Sequence, residues 1–396
     1  MAKSYKRKAY NLIRERMSEP RRFIQVVMGP RQVGKSTTVI QVLKDIGIPY
    51  LYYSADTVPA SDSDWIKNCW TSARLKSSAE KGGQVILAID EVQKIRNWSE
   101  YVKREWDSDT YSDVNVKVIL LGSSRVMISR GLSESLFGRY EEIRMGHWSY
   151  AEMHEAFGFT LPQFVYFGSY PGAATLVNNE IRWRDYIHAA VIDATINKDI
   201  LVDTPVGKPA LLRQTFELSS AYSGRLLSLT KMLGQLQDAG NTVTLTGYLN
   251  LLGDSGLVSA LGKYSADTAR RRASIPKYQV HNNALLGVFC DASFRQATVD
   301  SRLWGHMLES AIGTHIINEA FIHRFDVFYW RENNLEVDFV LRRNNKVVAI
   351  EVKSNNEGYT RGLAVFSDRF HPDRAFVVGR DGIDPETFLR MDLSKL

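Results

Sequence analysis

The sequence predicts an α/β protein of several domains: a parallel sheet wrapped in helices, a helical middle, and a second α/β domain at the end. Three observations predict it. An apolar run, Phe23 to Met28, meets a glycine loop and then a helical pattern. A second apolar run, Val85 to Ile89, ends in the acid pair Asp90-Glu91. A third stretch, 327–353, alternates apolar and charged residues and carries Asp338, Glu351 and Lys353.

The first observation is the most specific. Phe23-Ile24-Gln25-Val26-Val27-Met28 has the apolar, β-branched character of a buried strand. Gly29-Pro30-Arg31-Gln32-Val33-Gly34-Lys35-Ser36-Thr37 then fits the phosphate-loop pattern G-x-x-x-x-G-K-[ST]. Val39, Ile40, Val42, Leu43 and Ile46 follow at helical spacing. Strand, loop and helix in this order let backbone N–H groups and a helix N-terminus wrap a polyphosphate. Residues 29–37 are therefore the candidate nucleotide-binding residues, with ATP and Mg²⁺ as the expected cofactors. Lys35 is expected to reach the β- and γ-phosphates, and the Ser36 hydroxyl to ligate Mg²⁺.

The chain has 396 residues, 44% of them hydrophobic, enough for roughly two to four domains. Lys plus Arg number 50 against 44 Asp plus Glu, a net charge of +6 that permits a nucleic-acid partner without requiring one. Cys69 and Cys290 have no Cys or His partner at metal spacing and read as free thiols of a reducing compartment. No apolar run approaches the ~20 residues of a membrane span. A cytoplasmic protein with no membrane partner is expected.

Residues 5–17 place Tyr5, Ala9, Leu12, Ile13 and Arg16 at helical spacing, which reads as an amphipathic helix with a solvated basic face. Pro49 to Tyr53 reads as a strand and Trp65 to Ser78 as an amphipathic helix. Val85 to Ile89 is then a buried parallel strand whose carboxyl end, where open α/β sheets bind ligands, carries Asp90 and Glu91. Asp90 is expected in the Mg²⁺ shell, and Glu91 is expected to orient and deprotonate the attacking water. Val116 to Leu121 is a further strand, ending in Gly122-Ser123-Ser124. Ser123 or Ser124 is read either as a sensor of the γ-phosphate or as a helix cap. Arg125, Arg130, Arg139 and Arg144 follow, each open to pairing with a local acid or to serving a neighbouring subunit as an arginine finger.

Several motifs occur together. They are the phosphate loop, Ile89-Asp90-Glu91-Val92-Gln93-Lys94-Ile95 with Trp98, Leu121-Gly122-Ser123-Ser124, Glu134-Ser135-Leu136-Phe137-Gly138-Arg139-Tyr140, and Phe167-Gly168-Ser169-Tyr170-Pro171-Gly172. In this combination the chain resembles the large prokaryotic group of AAA-type ATPases that carry a C-terminal restriction-endonuclease-like domain. The resemblance covers essentially the whole chain. It maps the family's arginine in the Gly-Arg pair to Arg139, which joins Glu91, Lys35 and Ser123 as a catalytic candidate. The chain departs from the family in two places. Gly-Ser-Tyr-Pro-Gly stands where Gly-Gly-Tyr-Pro-Glu is usual, and Met145-Gly146-His147-Trp148-Ser149 where apolar-Pro-Leu-Ser is usual.

The resemblance implies a helical lid after the first domain, and 151–200 reads helical, with Trp183, Tyr186, Ile187, Ala190, Val191 and Ala194 on one face. Residues 209–280 read as short helices at 211–220, from 228 and at 246–254, then a hairpin opening at Gly256. That order matches a winged helix-turn-helix, whose third helix can enter a major groove. Arg270, Arg271 and Arg272 fall at the hairpin tip, where they contact a DNA phosphate or form a solvated turn; such modules also dock proteins.

In the last domain Glu309 lies on a helix, Asp338 on one strand, and Glu351 with Lys353 on one face of the next. This is the Asp…Glu-x-Lys arrangement of restriction-type nucleases. Glu309, Asp338 and Glu351 are the expected ligands of a second Mg²⁺, with Lys353 beside them. The domain either cuts DNA or uses this surface to hold DNA or a partner. The expected layout is a P-loop AAA-type core over 1–150, a helical lid over 151–205, a winged helix-turn-helix over 206–284 and a restriction-endonuclease-like domain over 285–396. The expected function is an ATP-hydrolysing protein that engages duplex, branched or end structures of DNA, with a homo-oligomer as the setting for Arg139. A nucleotide-dependent switch docking a protein partner and an ATP-gated nuclease are the competing expectations.

Overall fold

A computed structural model describes residues 5–80, 83–122, 132, 135–237, 240–265, 274–353 and 361–395. Ser123, Ser124, Arg125, Arg130 and Arg270 to Arg272 lie outside them. The chain divides into two compact units, Met1–Met145 and Gly146–Leu396. The first ends at Met145 because that residue still belongs to the first sheet: its N–H donates to Met28 O at 2.8 Å. The segments expected as lid, winged helix and last domain lie together in the second unit.

The first unit is built on five parallel strands: β1 (Ile24–Met28), β2 (Tyr50–Ser54), β3 (Gln84–Asp90), β4 (Asn115–Gly122) and β5 (Tyr140–Arg144), in the order β2-β3-β4-β1-β5. Side chains alternate across each strand. Val85, Leu87 and Ile89 of β3 join one apolar cluster, while Ile86 and Ala88 join the other. Helices α3 (Asp64–Ala79) and α4 (Trp98–Tyr111) cover the first face; α1 (Ala9–Ser18) and α2 (Lys35–Asp45) cover the second. Burial on both faces is why β1, β3 and β4 read as continuous apolar runs.

One charged cluster is sunk between α3 and α4. Asp109, 1% exposed, accepts from Trp70 Nε1 (2.9 Å) and Arg74 Nε (2.6 Å). Arg74 also donates to Glu105 Oε2 at 2.8 Å and to the Glu105 carbonyl at 3.1 Å. Asp109 thus depends on this guanidinium, while Glu105 shares it with Arg104, whose Nε lies 3.2 Å from Glu105 Oε1.

The second unit opens with α5 (Tyr150–Phe157), α6 (Leu161–Phe167) and α7 (Glu180–Tyr186), and α7 continues into π-helical turns at Ile187–Asp193 and Thr195–Ile200. Trp183, Ile187, Val191, Thr195 and Asp199 are buried, a repeat of four that suits the wider turn better than 3.6 does. Next come α8 (Pro209–Ala221), α9 (Leu229–Leu233) and α10 (Thr242–Asp254), then an antiparallel ribbon of β6 (Val258–Leu261) and β7 (Lys277–Val280). Helix α10 starts at Thr242 and not at 246, because Asn241 Oδ1 accepts the Thr244 N–H (2.9 Å) as an N-cap.

The remainder comprises α11 (Phe294–Val299), α12 (Ser301–His323), β8 (Asp326–Glu332), β9 (Leu335–Arg343), β10 (Lys346–Lys353), α13 (Arg361–Phe370), β11 (Arg374–Gly379) and α14 (Pro385–Leu389). The sheet order is β11-β10-β9-β8, antiparallel except for the β10–β11 pair. Asn333 and Asn344 turn the two hairpins with φ of 54° and 56°, the left-handed region that asparagine tolerates. Trp330, Phe366 and Phe370 pack edge-on or tilted between the sheet and α13.

The Arg74 cluster makes a stability prediction. Arg74→Met leaves the buried Asp109 without its paired cation and should cost about 3 kcal/mol, the lower end for a broken buried pair because Arg74 is 29% exposed and Glu105 keeps Arg104. Adding Asp109→Asn should recover part of the loss in chemical denaturation. An unchanged midpoint for Arg74→Met would contradict the assignment.

Candidate functional site

Strand β1 delivers the chain to the phosphate loop at the carboxyl edge of the first sheet. A Cβ on Gly29 would lie 2.0 Å from the Met145 carbonyl oxygen, so only glycine fits where β1 leaves its pairing with β5. Gln32 (φ 59°) and Gly34 (φ 87°) then turn the loop through the left-handed region into α2. Arg7, 7% exposed, donates from its guanidinium to the Val33 carbonyl and anchors the loop from the chain's beginning. Arg7 therefore does not belong to a solvated basic face. Nothing in its local sequence distinguishes it from Lys6 or Lys8.

Lys35 is buried within the loop, and its Nζ donates to the carbonyls of Gly29 (2.9 Å) and Pro30 (2.8 Å). Ser36 Oγ donates to Asp90 Oδ2 at 2.6 Å, which joins the loop to the end of β3. Tyr52 of β2 donates its hydroxyl to the same oxygen. Burial first, and Asp90 second, raise the Tyr52 pKa and keep it a donor. The chain reverses directly after Asp90: Glu91 has φ 52°, its N–H donates to Asp90 Oδ1 at 3.0 Å, and its Oε2 accepts from Gln93 Nε2 at 2.6 Å. Lys35, Ser36, Asp90 and Glu91 thus converge on one edge. The sequence assigns no role to Tyr52 or Gln93: a tyrosine in an apolar strand has no motif of its own, and Gln93 stands inside the acid-pair motif with nothing to show that it reaches back to Glu91.

The arginines separate. The Ile24 N–H donates to Arg139 O at 2.8 Å, so Arg139 lies at the amino end of β1, a strand's length of about 15 Å from its own phosphate loop. There its guanidinium forks onto Asp107, with Nε at 2.7 Å and Nη2 at 3.0 Å. Arg144 is the one that pairs with Met28 at the loop edge, where it contacts Glu142 at 2.8 Å. Ser123 lies beyond the described residues; β4, which precedes it, ends at Gly122 between β1 and β3.

In the second unit, Glu309 on α12, Asp338 on β9 and Glu351 on β10 do not form a common ligand set. Lys277 of β7 donates to Glu309 Oε1 at 2.7 Å and to Asp338 Oδ1 at 3.3 Å, so an ammonium stands between two of the expected ligands. Asp338 Oδ2 accepts the Val352 N–H at 2.8 Å, and Glu351 Oε1 lies 2.7 Å from Lys353 Nζ. Burial, and then Asp338, push the Glu309 carboxyl above its ordinary range, against the opposing pull of Lys277. Of the three expected ligands, Glu309 and Asp338 share Lys277, while Glu351 keeps one buried oxygen, Oε2, with no hydrogen-bond partner among the described residues. Among the described residues, the acids and histidines whose ligand atoms all lie within 4.8 Å are Glu319, His323 and Asp392. Glu319 Oε2 there accepts the Leu393 N–H at 3.1 Å and ties the chain's last residues to α12.

Residues 21–154 match the AAA domain family. Over those residues, which run from the first unit nine residues into the second, the chain is similar to AAA domains. Residues 158–295 and 304–386 match two families described as domains of unknown function, numbered 8612 and 4143. An uncharacterized protein of Methanocaldococcus jannaschii is 21% identical over 346 residues, 82% of this chain and 73% of that one. Another, from Haemophilus influenzae, is 22% identical over 352 residues, 83% of this chain and 82% of its own. Among solved structures, the Aeropyrum pernix Orc1 protein in complex with DNA aligns over 73% of this chain and 93% of its own, with 12% identity and a TM-score of 0.33. The replication initiator DnaA bound to AMPPCP and single-stranded DNA aligns over 63% and 90%, with 15% identity and a TM-score of 0.34. No helix among the described residues is long and apolar enough to cross a membrane.

Lys35 and Glu91 are expected to have separable roles. Lys35→Ala removes a cation from the loop and should abolish nucleotide binding in an equilibrium titration. Glu91→Gln should bind nucleotide normally while turnover falls about a hundredfold or more. Wild-type turnover by Glu91→Gln would refute its assignment.

Proposed function

We propose that this protein binds and hydrolyses ATP in its AAA-type domain and engages DNA through its C-terminal unit. The observation that carries the reading is the meeting of Lys35, Ser36, Asp90 and Glu91 at one sheet edge. This donor set suits a magnesium–triphosphate: amides and an ammonium for phosphate oxygens, a hydroxyl and a carboxylate for a hard cation. Ser36 and Asp90 would hold Mg²⁺, which neutralises charge on the phosphates. Lys35 exchanges the Gly29 and Pro30 carbonyls for phosphate oxygens. Glu91 takes the proton of the attacking water, and Gln93 sets the orientation of that carboxylate.

Arg139 acts across a subunit boundary in this reading, because β1 separates it from its own loop. Arg139→Ala should bind ATP but turn it over slowly, and mixing it with Lys35→Ala subunits should restore part of the rate. Mixtures no faster than the sum of their components would remove Arg139 from the mechanism.

DNA engagement is supported by a cleft of about 560 Å³ in the second unit, lined by Arg225, Arg302 and Arg331. All three are exposed, as phosphate contacts require. The winged helix-turn-helix and restriction-endonuclease-like readings of 206–284 and 285–396 belong to this proposal. ATP turnover measured with and without single-stranded, blunt duplex and branched DNA tests it. Stimulation by at least one form is expected; a rate indifferent to all of them, beside a stable protein partner, would favour the docking switch.

A further inference from the structure

The second unit places a buried ammonium where the acid pattern leads one to look for a metal ion. Lys277 is 5% exposed. Its Nζ has three acceptors, one for each proton: Glu309 Oε1 at 2.7 Å, Asp338 Oδ1 at 3.3 Å and the Asp338 carbonyl at 3.3 Å. The Phe339 ring centre lies 4.7 Å away on a further side. Burial by itself would discharge such a lysine, but Glu309 and Asp338 outweigh it and hold the ammonium charged. A divalent ion needs oxygen ligands at about 2.1–2.5 Å in the same space. Two cations within about 3 Å, away from water, repel too strongly to share it.

Above the ammonium opens the arginine-lined cleft. Arg225 reaches it from the segment that pairs with β7, through the Tyr278 N–H to Arg225 O bond of 3.0 Å. Arg302 comes from the first turn of α12, and Arg331 from β8, where Glu336 is 4.0 Å away. His306, also in the lining, is pulled down to about 4 by burial and then by Arg225 and Lys277, so it is neutral near pH 7. Arg225, Arg302, Arg331 and Lys277 face Glu309, Glu336 and Asp338, so the acids alone do not decide the sign of the cleft.

We propose that Lys277 is a built-in counter-cation: it takes the place of a divalent ion between Glu309 and Asp338, so that the cleft holds a DNA phosphate on Arg225, Arg302 and Arg331 without metal and without cutting the strand. The DNA half rests on the reading given under the proposed function; the counter-cation half stands without it. Glu309 and Asp338 keep Lys277 in place, and Lys277 removes the repulsion these acids would exert on a phosphate.

The test uses the full chain and two readouts. In the first, Mn²⁺ is titrated calorimetrically without nucleotide. Wild-type protein and Asp338→Asn should give the same isotherm, and Lys277→Arg should match them. Lys277→Gln should gain one site, which the added Asp338→Asn removes. A wild-type site lost in Asp338→Asn would overturn the counter-cation, and so would a folded Lys277→Gln that gains none. If Lys277→Gln does not fold, the wild-type and Asp338→Asn comparison decides alone.

In the second readout, a blunt duplex oligonucleotide is bound in EDTA and in Mn²⁺. Wild-type affinity should be the same in both. Arg302→Glu should lose about tenfold or more in both, and Lys277→Gln should lose about tenfold in EDTA and recover it in Mn²⁺. No wild-type binding in either buffer would defeat the DNA half and leave the Mn²⁺ result to judge Lys277. Nicking by wild-type protein in Mn²⁺ that Asp338→Asn abolishes would overturn both halves.

Discussion

The first unit depends on the short hydrogen bond from Ser36 to Asp90. Parallel strands buried on both faces have no polar surface except at their ends, so chemistry is confined to an edge. Five strands meet there, and β4 lies between the two that carry the loop and the acids. The Ser36–Asp90 contact at 2.6 Å closes that gap across a strand's width, and Tyr52 reaches the same carboxylate from β2. Arg7 braces the loop from the opposite side. Loop, acid strand and N-terminal segment are thereby one assembly, although they are distant in sequence.

Two buried lysines, one in each unit, are held differently. At the first sheet's edge, Lys35 is held by backbone carbonyls, which are neutral acceptors that a more strongly charged partner can displace. In the second unit, Lys277 is held by two carboxylates, which bind an ammonium far more firmly than carbonyls do. The first arrangement leaves a cation ready for exchange. The second fixes it.

The elements around the loop and the acid pair were legible because their pattern is local: nine consecutive residues make the loop, and two adjacent acids end a strand. The apolar runs at 23–28, 85–89 and 116–121 became β1, β3 and β4 with ends shifted by at most one residue. Lys277 was not legible, since it meets Glu309 and Asp338 across 32 and 61 residues of chain and only the folded ribbon brings it there. Asp338 and Glu351 were found by strand alternation, which places side chains on a face but says nothing of what another element inserts between them. The two departures from the resembled family also proved to be one feature. His147 and Ser169 both contact Asn282, whose Nδ2 lies 3.2 Å from His147 Nδ1 and donates to Ser169 Oγ at 3.1 Å. A buried polar node of this kind rewards being complete, so neither departure is independent of the other.

As proposed above, the edge joining Ser36 to Asp90 is a cation-assisted triphosphate site. The most direct measurement is the affinity for ATP with Mg²⁺ and with EDTA, in wild-type protein and in Asp90→Asn. Wild-type protein should bind ATP about tenfold or more tightly when Mg²⁺ is present, and Asp90→Asn should lose most of that difference. An affinity indifferent to Mg²⁺ in the wild type, or a full Mg²⁺ effect retained by Asp90→Asn, would contradict it.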